Sequence, residues 1–298
     1  MKILYTGSNG LLGQKISHAT PTFPLHKFLA TSRGANRIQN MGTAAYASMD
    51  ITNREDVLRV IEKFQPDVII HAAAMTHVDE CELHPEQATL INVEGTRHMA
   101  EAAQKANAHL VLISTDFIFD GNDGPYKEEA EPNPVSHYGW TKLEAEKIVE
   151  QLPSYSILRT VLVIGMAEDL SRSNIVSWAK GALKKGETIN VVDDQFRTPT
   201  LAEDLAQGTL LAADQKAQGV FNISGPDLMS IYELVGQVAR YFNLSMDSVT
   251  RVDSSTLNQP AKRPPVTGFA IGKARKELGY TPHTFAEALE IIAQQAGL

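Results

Sequence analysis

The chain has 298 residues, 43% of them hydrophobic, which is enough for one large or two modest domains around a substantial core. A net charge of −8 and a pI near 5.6 argue against a nucleic-acid binder, which needs a basic face to neutralise phosphates. The single cysteine, Cys81, allows no internal disulfide and fits a reducing, cytoplasmic setting, and no basic leader or run of about 18 apolar residues predicts a signal peptide or membrane span. The charge is unevenly spread: residues 1–49 hold Lys2, Lys15, Lys27, Arg33 and Arg37 and no Asp or Glu.

Short apolar runs alternate with amphipathic stretches through the first half, which predicts βαβ units and a doubly wound, mostly parallel sheet of the Rossmann type in an α/β fold. Strands are predicted at 2–5, 27–31, 44–47, 67–71, 109–114 and 156–158. Asn53 caps a helix in which Val57, Ile61 and Phe64 recur, and Gln65-Pro66 closes it. Further helices are predicted at 86–105 and 136–150. Beyond residue 165 the regularity loosens, with helices at 175–184, 201–213, 231–242 and 285–295 and extended pieces at 189–192 and 220–223.

The first strand runs into Thr6-Gly7-Ser8-Asn9-Gly10-Leu11-Leu12-Gly13, which opens a helix. Glycines at this spacing allow a tight turn and close backbone approach to a pyrophosphate, with the helix N-terminus facing its charge. A dinucleotide fold normally places an acid about 20 residues further on to hold the ribose 2′-hydroxyl. This chain has Ser32-Arg33 there, so Arg33 is expected to hold a 2′-phosphate, the other reading being a solvated surface residue. NADP(H) is the expected cofactor and NAD(H) the alternative. Asp50, past the third strand, is expected near the adenine or as a loop cap. These segments predict a cofactor domain over residues 1–165 and a smaller substrate-binding region over 166–298 that partly returns to it.

Tyr138-Gly139-Trp140-Thr141-Lys142 opens a predicted helix, and residues four apart share a face. A cation beside a phenol favours the phenolate, and a tyrosine so tuned can act as general acid to a carbonyl receiving hydride. Alone, such a pair also fits a solvent-exposed surface. Thr115, at a strand end about two dozen residues earlier, is placed to hydrogen-bond the same carbonyl oxygen, since ligands of open α/β sheets bind beyond the carboxyl ends of the strands.

With these motifs the chain resembles the extended short-chain dehydrogenase/reductase family and, within it, the dTDP-4-dehydrorhamnose reductase group. Further marks are the stretch His71-Ala72-Ala73-Ala74-Met75-Thr76-His77-Val78-Asp79, then Ser114-Thr115-Asp116-Phe117-Ile118-Phe119-Asp120-Gly121, Asp194-Gln195-Phe196-Arg197-Thr198-Pro199-Thr200 and Arg263-Pro264. The resemblance implies an oxidoreductase with Thr115, Tyr138 and Lys142 as the catalytic set, Lys142 also binding the nicotinamide ribose. Its implied cofactor contacts are Gly7, Asn9, Gly10, Leu11, Leu12, Ser32, Arg33, Asp50, Ile51 and Ala72, Ala73 and Ala74, with Asn92 supporting the active site from its helix. Thr76, Val78, Asp116, Phe117, Gln195 and Arg197 are implied on the nucleotide-sugar side. Homodimerisation stays open.

One departure matters. Typical rhamnose-pathway reductases carry Arg-Thr-Ser-Trp where this chain reads Arg159-Thr160-Val161-Leu162, so the particular sugar nucleotide is left open. Phe117 follows Asp116 where dehydratases of the family usually have Glu, which disfavours elimination. Epimerisation remains an alternative, and so does a non-catalytic role, because the chain also resembles the beta subunit of methionine adenosyltransferase. His71, His77 and His84 with Asp79, Glu80 and Glu82 fit no common zinc spacing, so no metal site is expected and the acids read as a solvated loop leading into a helix. Cys81 reads as an unreactive thiol. Trp140 and Trp178 read as core or interface packing.

Overall fold

A computed structural model describes residues 1–168 and 174–297. In chain order its first half reads β1 (Lys2–Thr6), α1 (Leu11–Ala19), β2 (Lys27–Ser32), β3 (Ala45–Ser48), α2 (Arg54–Phe64), β4 (Val68–His71), α3 (Val78–Leu83), α4 (Pro85–Thr89), α5 (Gly95–Ala106), β5 (His109–Thr115), α6 (His137–Val149) and β6 (Tyr155–Thr160). The second half adds β7 (Val163–Ile164), α7 (Ile175–Lys185), β8 (Ile189–Val192), β9 (Phe196–Arg197), β10 (Thr200–Leu201), α8 (Ala202–Gln215), β11 (Gly219–Asn222), β12 (Met229–Ser230), α9 (Ile231–Tyr241), β13 (Val249–Val252), α10 (Gly272–Leu278) and α11 (Phe285–Gln295).

Seven strands form one sheet in the order β11-β6-β5-β4-β1-β2-β3, every neighbouring pair parallel. This is the doubly wound order with a seventh strand added at one edge. Alternation along each strand sends side chains to opposite faces. Ile3, Tyr5, Val68 and Ile70 enter a core with Leu205, Leu210, Phe221 and Leu278, whereas Leu4 and Ile69 enter the core on the other face with Val57, Met99 and Ala145. Burial on both faces explains why the central strands are continuous apolar runs. A third core, holding Val176, Leu183, Leu234, Val238, Leu289 and Ile292, joins α7, α9 and α11. Thus α8, β11 and α10, all beyond residue 165, belong to the sheet layer, while α7, α9 and α11 pack around their own core.

Local chemistry sets the helix ends. The Asn53 side chain accepts the Asp56 N–H, and Ser136 accepts the Gly139 N–H, while Ser230 with Glu233 and Thr284 with Glu287 form reciprocal capping boxes. The expected helix at 86–105 is divided: a π turn over Leu90–Glu94 separates α4 from α5. The acids at 79–82, expected in a loop, lie in α3, where the His77 ring accepts the Glu80 N–H and the N-terminal acids favour the helix dipole. At six residues this helix is too short to show a period. Asp79 is also not simply solvated, because it grips Arg263 through two hydrogen bonds of 3.1 and 2.7 Å. Trp140 and Trp178 are 42% and 41% exposed, which removes the core reading for both. β13 and α10 have no counterpart in the sequence expectations.

The carboxyl ends of β1 and β4 are tied by a directional chain of buried hydrogen bonds. Thr6 Oγ1 accepts the Ala72 and Ala73 N–H groups at 3.1 and 3.0 Å, which leaves its proton for His71 Nδ1 at 2.9 Å. His71 Nε2 then donates to Thr96 Oγ1 at 3.2 Å, and Thr96 donates to the Asn92 carbonyl at 2.6 Å. Burial lowers the His71 pKa to about 3, assisted by the nearby Lys142 charge.

Two outcomes test this architecture. A Cβ on Gly13 would lie 2.4 Å from Ser8 Cα and 2.5 Å from the Gly7 carbonyl, so Gly13→Ala is expected to lower unfolding stability by about 3 kcal/mol in urea titrations. An unfolded histidine takes its proton near 6.5, whereas His71 stays neutral down to about 3, so the unfolded state binds the extra proton between these values. Stability contributed by neutral His71 is therefore complete above pH 6.5 and lost as pH falls towards 3, at about 1.4 kcal/mol per pH unit. Wild type should show the steeper acid limb and His71→Gln a shallower one; equal slopes would contradict the assignment.

Candidate active site

A cavity of about 760 Å³ opens over the carboxyl ends of the parallel strands, spanning the point where strand order reverses between β1 and β4. Its size is that of a ligand pocket, and its position is that of ligand sites in open α/β sheets. Gly7, Asn9, Gly10, Leu11, Leu12 and Gly13 form one wall. Gly7 has φ +72°, and a Cβ there would lie 2.9 Å from the Ala73 nitrogen, so a side chain is excluded on two grounds. Gly10 offers no side chain to cap α1, which leaves the first-turn N–H groups of that helix facing the cavity, the arrangement that receives a phosphate.

Asn9 is 8% exposed and its amide is fully engaged: Nδ2 donates to Ser32 Oγ at 2.7 Å and to the Ala35 carbonyl at 3.0 Å, and Oδ1 accepts the Arg37 N–H at 2.9 Å. It therefore fixes the loop after β2 against the glycine turn. That loop brings the exposed side chains of Arg33 and Arg37 to the cavity rim, beside Ser32. Sequence reasoning singled out Arg33 but left Arg37 within the general basic excess. Asp50 and Ile51 also line the cavity, and Asp50 caps its own turn by accepting the Thr52 N–H and hydroxyl at 2.9 and 2.8 Å.

Ala72, Ala73 and Ala74 form the floor beside the glycine turn, and Thr76 and Val78 continue it. Asn92 does not reach the cavity. Buried in the π turn, it accepts the Met75 N–H at 2.8 Å, donates to the Met75 carbonyl at 3.0 Å, and donates to Thr141 at 3.0 Å. One amide thus pairs with the backbone of the alanine loop as a strand would and joins it to α6. The wider π turn is a common device where a helix must present a functional side chain.

Thr115, Asp116 and Phe117 at the end of β5, with Tyr138 and Lys142 on α6, line the same cavity. Thr115 Oγ1 donates to Asp116 Oδ1 at 3.1 Å, and the Phe117 ring meets Tyr138 edge to face at 5.6 Å between centroids. Gly139 permits this approach: its Cβ would fall 2.0 Å from the Phe117 carbonyl. The expectation that Lys142 would pull the phenol down is not met. Burial dominates and raises the Tyr138 pKa, while burial lowers Lys142 to about 8 against the opposing influence of Glu146. Lys142 Nζ donates to the Ile113 carbonyl at 2.8 Å. Cys81 packs behind Tyr138, fully buried, with its thiol pushed up to about 11, mainly by burial.

Gln195 and Arg197 stand outside the cavity wall, at 6% and 4% exposure. The Arg197 guanidinium is committed to backbone carbonyls, giving Nη1 to Phe196 and Pro265 at 2.8 and 3.0 Å and Nη2 to Pro264 at 2.8 Å, with its Nε 3.7 Å from Asp116 Oδ2. Thr267 donates to that same carboxylate oxygen. Instead, the later segments reach the cavity through Leu162, Gly165, Ala167, Asn174 and Arg263. Leu162 has φ +36°, a conformation that branched side chains rarely adopt, and is held there by the Thr200 N–H on its carbonyl at 3.2 Å. Arg263 carried a sequence signal only as part of Arg263-Pro264; its place at the cavity follows from the Asp79 grip.

The RmlD substrate binding domain family model matches residues 1–297. Among curated relatives, a dTDP-4-dehydrorhamnose reductase of Aggregatibacter actinomycetemcomitans is 30% identical over 99% of both chains, and methionine adenosyltransferase 2 subunit beta of Bos taurus is 31% identical over 85% of this chain and 76% of its own. A dTDP-4-dehydrorhamnose reductase from Clostridium acetobutylicum superposes with a TM-score of 0.85 over 100% of both chains at 31% identity. The Bacillus anthracis reductase in complex with NADP gives 0.84 over 99% of both at 28% identity. The chain belongs to the RmlD substrate-binding-domain family of extended short-chain dehydrogenase/reductases, NAD(P)-dependent oxidoreductases built on a Rossmann fold.

Proposed function

We propose that this protein is an NADP(H)-dependent reductase acting on the C4 ketone of a 4-keto-6-deoxy sugar nucleotide, with dTDP-4-dehydrorhamnose the first candidate. The observation that carries the reading is the convergence of Thr115, Tyr138 and Lys142 on one cavity with the glycine turn and Arg33. The nicotinamide, when bound, supplies the hydride to the carbonyl carbon and is oxidised. Tyr138 gives its phenolic proton to the carbonyl oxygen as the alcohol forms. Burial raises its pKa, so the phenol holds its proton at neutral pH and needs the developing alkoxide to draw it off. Thr115 orients the oxygen, and Lys142 supplies positive charge beside it. Arg33, with Arg37 close by in sequence and on the same rim, is matched to a 2′-phosphate, and no acid lies before Asp50 to repel one.

A second reading rests on a specific finding, the 31% identity to a methionine adenosyltransferase beta subunit. On that reading the chain binds a catalytic partner and turns nothing over. Retention of Thr115, Tyr138 and Lys142 together favours the enzyme, because a binding module has no use for all three.

Nicotinamide absorbance with dTDP-4-dehydro-L-rhamnose decides between them. Tyr138→Phe is expected to lower kcat at least ~100-fold while dinucleotide binding persists, and full turnover in that variant would sink the assignment. Arg33→Ala is expected to weaken NADPH binding about tenfold or more relative to NADH; an unchanged preference would remove Arg33 from the phosphate site. Silence with both cofactors, together with a stable complex on a larger enzyme, would establish the regulatory reading.

A further inference from the structure

We infer that Glu146 is a positioning residue for the reaction: its buried carboxylate, fixed by Ser114 and Arg159 one helical turn beyond Lys142, keeps a negative charge on the face of α6 that carries Tyr138 and Lys142 and so favours the charged ammonium. This inference takes the reductase reading as the purpose of the site but concerns a property of Lys142 that is measurable without turnover.

Tyr138, Lys142 and Glu146 succeed one another at intervals of four along α6 and so share a face, at 7%, 3% and 1% exposure. That face is pinned to β5 by two adjacent residues. Lys142 Nζ donates to the Ile113 carbonyl at 2.8 Å, and the next residue, Ser114, donates its hydroxyl to Glu146 Oε1. Sheet register brings the third member: Ser114 is paired with Arg159 on β6. Arg159 Nη2 donates to Glu146 Oε2 at 2.7 Å, Nε lies 3.2 Å from both carboxylate oxygens, and Nη1 donates to the Glu128 carbonyl at 3.0 Å. Both oxygens of Glu146 are therefore fixed, and with them the position of its charge.

An ammonium with the solvent exposure of Lys142 and one carbonyl as its direct partner is strongly disposed to lose its proton. The charges around it come from every neighbouring element. His71 faces it from β4 and is neutral; Thr115 and Asp116 lie at the end of β5, the latter engaged with Arg197 and Thr267. Arg159 on β6 points its guanidinium into Glu146, and Tyr138 and Glu150 flank the pair along α6, Glu150 with its pKa raised by burial. Of these, Glu146 is the charge that favours protonated Lys142, and burial opposes it. Removing the Glu146 charge should therefore let Lys142 deprotonate at lower pH, and the alkaline limb of the reaction should move with it.

The test is a pH titration of the Lys142 side-chain carbon resonance in protein carrying ¹³C-labelled lysine, assigned through Lys142→Met. The wild-type midpoint is expected near 8, and in Glu146→Gln it should fall by about one pH unit, with the alkaline limb of kcat/KM following. Because that variant leaves a buried guanidinium uncompensated, Glu146→Gln/Arg159→Gln is measured in parallel; it removes both charges and keeps side-chain volume at Glu146. A fall in the same direction is expected there, smaller because the Arg159 cation that disfavours a second positive charge is removed as well, and Glu146→Asp should return the midpoint towards wild type. A midpoint that stays in place in either folded variant, even with activity reduced, would overturn the inference and leave Glu146 as a purely structural pin. A protein that turned over no sugar nucleotide would defeat the reductase reading, yet the titration would still decide the role of Glu146.

Discussion

The hydroxyl of Thr6 ends the central strand and accepts two backbone N–H groups from the loop that follows β4 beside it, and the geometry of the site descends from that contact. With both acceptor positions taken, Thr6 must donate its own proton to His71, so His71 must carry its hydrogen on Nε2 and pass it to Thr96. A protonated His71 could not accept from Thr6, which is one reason burial and neutrality go together here. The chain ends at the Asn92 carbonyl, and the Asn92 amide returns to hold Met75 at the far end of the alanine loop. The floor of the cavity is therefore suspended at both ends from one closed set of buried hydrogen bonds. A partly satisfied set would be costly in so dry a setting, which favours a single arrangement.

Against this neutral floor the wall carries charge. Lys142, Arg159 and Arg197 are each at most 5% exposed on their side chains or whole residues, and each is answered differently. Arg159 has a carboxylate at hydrogen-bond distance, Arg197 has a carboxylate at 3.7 Å and three donations, to the carbonyls of Phe196, Pro264 and Pro265, and Lys142 has a carbonyl. Buried pairs contribute little net stability because desolvation offsets attraction, but removing one partner is expensive. Their use here is geometric: Arg159 fixes β6 to α6, and Arg197 fixes the 264–267 segment to the end of β5. Of these three, Lys142 is the one with no carboxylate in direct contact among the described residues, and it is the one that lines the cavity.

The cofactor side was legible in the sequence because its constraints are local. Gly7 must accommodate a positive φ and a close backbone, Ser32-Arg33 stands at a fixed distance from it, and the strands between are buried on both faces and so read as apolar runs. Asp79 was misread as solvated because its partner, Arg263, lies 184 residues away, and no periodicity reports such a pair. Arg197 was expected at the ligand for its motif, but the carbonyls of Pro264 and Pro265 claim its donors, again a long-range contact. The tuning of Tyr138 was misjudged in sign because proximity of Lys142 is visible in a heptad-scale pattern, whereas depth of burial is not.

The two ends of the cavity are built differently. The dinucleotide end is built within the first 75 residues or so and shares its supports with the sheet itself, so a change there disturbs the fold. The opposite end is assembled from segments near Leu162, Ala167 and Arg263, joined to the sheet layer by side-chain contacts such as Asp79 with Arg263 and Arg197 with Asp116. Thr115, Tyr138 and Lys142 are positioned by β5 and α6, apart from those segments. The chain matches a dTDP-4-dehydrorhamnose reductase over its whole length and a methionine adenosyltransferase 2 subunit beta over most of it, so the fold alone does not separate the two and the side chains of the site must.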